Sequence, residues 1–174
     1  MTTETCRMTD AFTILDSAHK VLREQATQLE TLGRVIGQDG LLGDARLARM
    51  CRIIATLDTL VPIHTEDEEA SLFPAVIERL HVAEGETTPM ELLTHEHGFH
   101  ERLMLVLKRS IARADPAAIS EAAVQLAQQT REHVDKEDGL LFPFARAALA
   151  ADPETLDAIT ATMAARHDAA GLPY

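Results

Sequence analysis

Two eleven-residue segments of this chain, HTEDEEASLFP at 64–74 and HVDKEDGLLFP at 133–143, align without a gap. They share His64/His133, Glu68/Glu137, Leu72/Leu141, Phe73/Phe142 and Pro74/Pro143. Residues four apart on a helix differ by about 40° around its axis, so each His and its Glu project from one face a turn apart. The same faces carry the apolar residues leading into Leu-Phe-Pro, which turns the polar groups inward. Upstream, SAHKVLREQ around Ala18-His19 matches HEHGFHERL around Glu96-His97 more weakly. The offsets from His19 to His97 and from His64 to His133 are 78 and 69 residues, and the difference falls in the Gly-rich stretch of the first half. The chain therefore reads as two copies of a helix–loop–helix unit. Each copy offers one His on its first helix and His-x-x-x-Glu on its second.

Helix boundaries support this reading. Thr88-Pro89, Asp115-Pro116 and Asp152-Pro153 each place a capping side chain before a proline at the first helical position, where the missing N–H loses no intrahelical bond. A first helix is expected over roughly residues 9–32, with Ala11, Ile14, Leu15, Ala18, Leu22, Ala26, Leu29 and Leu32 as its apolar stripe, ending at Gly33. Residues 33–43, with four glycines, are expected to form a loop. A second helix runs from about Asp44 towards Phe73 with a local bend at Pro62, and Pro74 restarts or kinks the chain into a short extension over Ala75–Leu80. A loop at 82–87, helices over about 88–113 and 116–148, and a shorter helix over about 153–168 complete the chain. No strand signal competes. The expected fold is all-α: one domain across residues 1–174, an up-down-up-down four-helix bundle over about 10–148 with an additional short C-terminal helix.

Composition agrees. Apolar residues make up 46% of 174 and aromatics only 3%, so the core must be aliphatic, and the aromatic residues favoured in strands are scarce. Sixteen Lys+Arg against 28 Asp+Glu give a formal net charge of −12, which repels phosphate backbones and excludes a nucleic-acid partner. Cys6 in a polar tail and Cys51 in an apolar helical stretch read as a tail thiol and a core residue, not a disulfide framework. The N-terminus MTTETCRMTDAFT has no apolar signal region, and no apolar run reaches the length of a membrane span. The chain is therefore expected to be cytoplasmic, with no membrane partner.

A buried carboxylate or imidazole without a partner is costly. Four inward His and two inward Glu can satisfy one another by coordinating metal, and facing helices of a bundle are where such sites are built. Imidazole and carboxylate without thiolate suit iron, manganese or zinc more than copper(I). The six groups exceed what one tetrahedral zinc needs and suit two metals, with two His each and both carboxylates as bridges. A ferritin-type site would need Glu-x-x-His on two helices, and Glu78…His81 is the single unrepeated match.

The pattern His19, His64-x-x-x-Glu68, Glu96-His97 and His133-x-x-x-Glu137, with Leu-Phe-Pro after each pair, resembles the hemerythrin-like (HHE cation-binding) domain over roughly residues 10–148. The resemblance implies an oxo- or hydroxo-bridged non-haem di-iron centre. His19 and His64 would ligate one iron and His97 and His133 the other, with Glu68 and Glu137 bridging. Oxygen carriers of the family have His four residues after the third-helix His, where this chain has Glu101, and they end the last motif with Asp at a five-residue spacing. The chain is in this respect similar to bacterial hemerythrin-like proteins and to the di-iron proteins of iron–sulfur cluster repair, many of which carry a Cys-containing N-terminal domain that this sequence lacks.

The implied function is binding of, or reaction with, O2, peroxide or NO in redox or stress chemistry or sensing. The alternatives are a reversible oxygen carrier or store, an iron donor in cluster repair, and a structural module with metal as a staple. Whether it is an enzyme, and which protein partner it meets, stays open. Glu101 reads as a seventh ligand or as a hydrogen-bond partner of a ligand imidazole, and either role favours redox chemistry over transport. Glu96 reads as a polar neighbour of His97, a channel carboxylate or plain surface. His100, about 60° from His97 around the helix, reads as solvated or as a neighbour of the ligands. His81, His95 and His167 read as surface, Glu69 and Asp138 as solvated, and Phe73 and Phe142 as packing that excludes water below the site.

Overall fold

The helix starts marked by Thr88-Pro89, Asp115-Pro116 and Asp152-Pro153 are capped as expected. In the computed structural model, which describes residues 10–80 and 87–174, Asp10 accepts a hydrogen bond from the Thr13 amide and opens α1 (Ala11–Asp39). α2 spans Asp44–Asp67. Thr88 and Glu91 close a reciprocal capping box on α4 (Pro89–Ala112), and Asp115 and Asp152 cap α5 (Pro116–Lys136) and α7 (Pro153–Ala170). Between these lie the short α3 (Phe73–Ile77) and α6 (Phe142–Leu149). Among the described residues there is no strand, and no helix is long and apolar enough to cross a membrane. His81 and Cys6 lie outside the described residues.

Where a loop was expected over 33–43, α1 continues through Gly33 and Gly37 and ends at Gly40, which adopts φ 66°. The two glycines make room for α5. A Cβ on Gly33 would come within 2.8 Å of the Ala123 Cβ, and one on Gly37 would strike Ser120. They are contact glycines, and the extra length of the first half extends α1 and α2 instead of forming a loop. Pro62 sits inside α2 without ending it.

At both Leu-Phe-Pro sequences the helix widens. Glu68–Leu72 (π1) and Glu137–Leu141 (π2) are single π-turns, in which the amides of Phe73 and Phe142 bond the carbonyls of Glu68 and Glu137. Pro74 and Pro143 have no N–H to give and their rings crowd the carbonyl four residues back, so a wider turn ahead of each proline relieves the conflict.

α1 packs on both α5 and α2, and α4 packs on α5, while α2 and α4 meet only sparsely. The bundle is thus closed on three sides and parted on the fourth. Its core is in two pieces. One apolar cluster includes Leu22, Leu29, Leu57, Leu107 and Leu126, and the other includes Phe12, Leu15, Leu72, Phe142 and, from α7, Met163. A belt of buried polar side chains separates them.

Candidate metal centre

That belt consists of His19 from α1, His64 from α2, Glu68 from π1, His97 from α4, His133 from α5 and Glu137 from π2. All six are buried, and both glutamates are fully inaccessible. One donor atom each from His19, His64, Glu68 and Glu137 lies within 4.8 Å of the others, and the same holds for Glu68, His97, His133 and Glu137. Each group is able to hold a cation, and both carboxylates belong to both groups. The imidazoles pair accordingly, with ring centroids 4.9 Å apart for His19/His64 and 4.7 Å for His97/His133.

Nε2 of His19, His64, His97 and His133 and all four carboxylate oxygens of Glu68 and Glu137 are buried without a hydrogen-bond partner. They approach one another closely, as in His133 Nε2 to Glu137 Oε1 at 2.9 Å and His97 Nε2 to Glu68 Oε2 at 3.2 Å, but not in hydrogen-bonding orientation. Eight orphaned buried donor atoms converging on one space are what a pair of cations would satisfy and what a metal-free core would not tolerate. The residues fit a metal centre.

The far side of each ring points to the same use. His19 Nδ1 donates to Asp138 at 2.7 Å, His97 Nδ1 to Glu69 at 2.7 Å and His133 Nδ1 to Glu96 at 2.9 Å. A proton held on Nδ1 leaves the Nε2 lone pair for a metal and fixes the ring's direction. Asp138 is in turn held by Arg23, and Glu96 by Lys136. Glu69 and Asp138 are therefore not the solvated groups their sequence positions suggest. Each follows a shared glutamate and reaches the first-helix His of the other unit, which no local reading could show. Glu96 serves His133, not its neighbour His97. His64 stands apart, since its Nδ1 has no partner.

Electrostatics follow from burial. Burial and the charge of Glu137 push the Glu68 carboxyl well above its ordinary range. Burial acts on Glu137 in the same direction, but the imidazoles of His133, His19 and His64 outweigh it and hold that carboxyl well below. Burial also drops the His64 imidazole to about 4. Phe142 stacks on His19 at 4.9 Å and Phe73 on His97 at 6.3 Å, sealing the lower side as expected.

Other expectations need correction. Of the two readings of His100, the solvated one fails, because the side chain is buried beside the ligand candidate His133. Its ring stands edge-on to His133 at 5.0 Å, and burial lowers it to about 4. Glu101 is exposed, lies outside both donor groups and lines only the cavity described below, because one turn beyond His97 α4 borders the parted side of the bundle. His167 is buried on Asp67, whereas His95 is exposed as expected. Cys51 is exposed, not in the core, because the buried stripe of α2 centres on Ile53, Leu57 and Leu60, each at least about 120° around the helix from it. The signal that could have found Asp67 is its place three residues after His64, on the same inward face of α2.

Between α2 and α4 a cavity of about 690 Å³ leads to His64, His97, His100 and His133. Its walls include Leu57, Val61, Met104, Leu126 and Val134, with Asp58, Lys108 and Glu101 at the outside. An apolar passage of this kind connects the surface to the edge of the centre.

Comparison with known proteins agrees with this arrangement. An iron–sulfur cluster repair protein from Neisseria gonorrhoeae is 26% identical over 137 residues, covering 74% of this chain and 85% of that protein. No solved structure gives a significant match. The profile of the hemerythrin HHE cation binding domain matches residues 10–145, which include all six inward ligand candidates. With that span of the chain matched, the protein belongs to the hemerythrin HHE cation-binding domain family.

Proposed function

We propose that the chain is a non-haem di-iron protein in which His19 and His64 hold one iron, His97 and His133 the other, and Glu68 and Glu137 bridge them. The observation that carries this reading is the membership of both carboxylates in both four-residue donor groups. Four neutral imidazoles and two carboxylates, with no thiolate, suit iron in the ferrous and ferric states. Bound iron would supply one-electron redox changes and positions open to a small ligand.

The chain's own residues do the rest. Asp138, Glu69 and Glu96 hold three of the imidazoles in the tautomer that presents Nε2. Phe73 and Phe142 keep water from the lower side, and the cavity's apolar wall favours O2, NO or peroxide over charged metabolites. The function proposed is binding of, or reaction with, such a small oxidant in redox or nitrosative stress. A role as iron donor in iron–sulfur cluster repair is the second reading, favoured by the gonococcal relative. Anaerobic reduction followed by exposure to air or NO tests the first. A rapid, irreversible change in the visible spectrum supports reaction, a band that reverses under vacuum supports carriage, and no change in either gas overturns both. Transfer of iron to an apo iron–sulfur protein without any such response supports the donor role.

A further inference from the structure

α7 lies beyond the segment that the family profile matches, yet it reaches the centre's edge. Its Ile159 and Met163 pack into the lower apolar cluster, and near its end His167 Nε2 donates to Asp67 Oδ2 at 2.7 Å while Arg166 pairs with Asp67 Oδ1. Asp67 is fully inaccessible and His167 is 1% exposed. Arg166 also reaches Glu66 at 3.2 Å. Asp67 is the last residue of α2 and directly precedes Glu68, with which π1 begins. A carboxylate this deeply buried is tolerated only where its partners stand. Both of its partners come from α7, so α7 anchors the residue from which π1 leads off.

The second half lacks the device. Its residue at the repeat position of Asp67 is Lys136, which is half exposed and pairs with Glu96. We propose that Asp67, His167 and Arg166 form a positioning clamp that fixes the π-turn bearing Glu68, making the placement of that carboxylate depend on a helix outside the family segment. For its consequence on metal retention the proposal rests on the di-iron reading. The clamp itself is a property of the fold.

Amide hydrogen exchange on the metal-free full chain tests it, because the second π-turn is an internal control. In His167→Leu, exchange over 68–72 should accelerate at least about tenfold while 137–141 changes little, and His167→Gln, which keeps a donor, should restore much of the protection. On the iron-loaded protein, His167→Leu should release iron to a chelator about tenfold faster than wild type. Arg166→Met is the second variant, judged by the same exchange criterion should His167→Leu not fold. Equal acceleration in both turns, or none in either, overturns the clamp. A wild-type chain that binds no iron overturns the metal reading, while the exchange result still decides the clamp.

Discussion

Around His97 and His133 both imidazoles are held from behind, by Glu69 and Glu96, whereas around His19 and His64 only His19 is held, by Asp138. The two halves differ at two positions of the repeat, and the first of them is the cause. Ala18 stands where the second half has Glu96, and Leu22 where it has His100. His64 therefore keeps an unpartnered Nδ1, and it lines the apolar cavity. A ring with a fixed direction loses less freedom on binding metal than one without. Equal sets of candidate ligands thus sit on unequal supports: the second half is pre-set, and the first would depend more on the metal itself and on the anchorage of π1.

The largest expected effect is loss of the metal from both halves at once. Without cations, two carboxylates and four imidazoles face one another in a dry core. Metal held a thousandfold below its working concentration contributes about 4 kcal/mol, which in a domain this size is roughly 10 °C of melting temperature. Calorimetry on chelated and loaded protein checks this, and equal melting points would mean that the six side chains do not hold metal. Next, Glu68→Ala or Glu137→Ala removes a group shared by both donor sets. Iron content should fall in both halves together, and loss from one half alone would show that the carboxylates do not bridge.

The comparison itself is sharpened by staged chelation. The His19/His64 iron should leave first from the wild type, giving two kinetic steps. Glu96→Ala takes away the second half's advantage, should weaken its iron about 10- to 100-fold, and should bring the two steps together. A single step in the wild type would mean that the supports are energetically equal. The smallest effect is expected from His100→Leu, which gives the second half the residue type of the first. An imidazole buried with Nε2 unpartnered adds little to stability, so the melting temperature should stay level or rise slightly, by less than about 1 kcal/mol in free energy, with iron content unchanged.

The same contrast explains what could be read from the sequence. The repeat exposed the six inward side chains because their spacing is local, and the three prolines marked helix starts because capping is local too. The supports were hidden because they are relations between distant segments. Asp138 meets His19 across 119 residues, and Asp67 meets His167 across 100. Glu69 and Asp138 each follow an inward glutamate by one residue, a step of about 100° that on a regular helix points elsewhere. Gly33 and Gly37 misled for a similar reason, since glycine as a breaker and glycine as a close-contact residue look alike until the partner helix is known. Cys51 shows that apolar neighbours in sequence do not make a face: the buried stripe of α2 runs through Met50, Ile53, Ile54, Leu57 and Leu60, and Cys51 falls off it.

The most direct measurement is the metal content and visible spectrum of the full chain purified from iron-replete cells. About two irons per chain, with the near-ultraviolet absorption of bridged ferric iron, is the expected result. One tightly held zinc and no iron would contradict the shared-carboxylate centre.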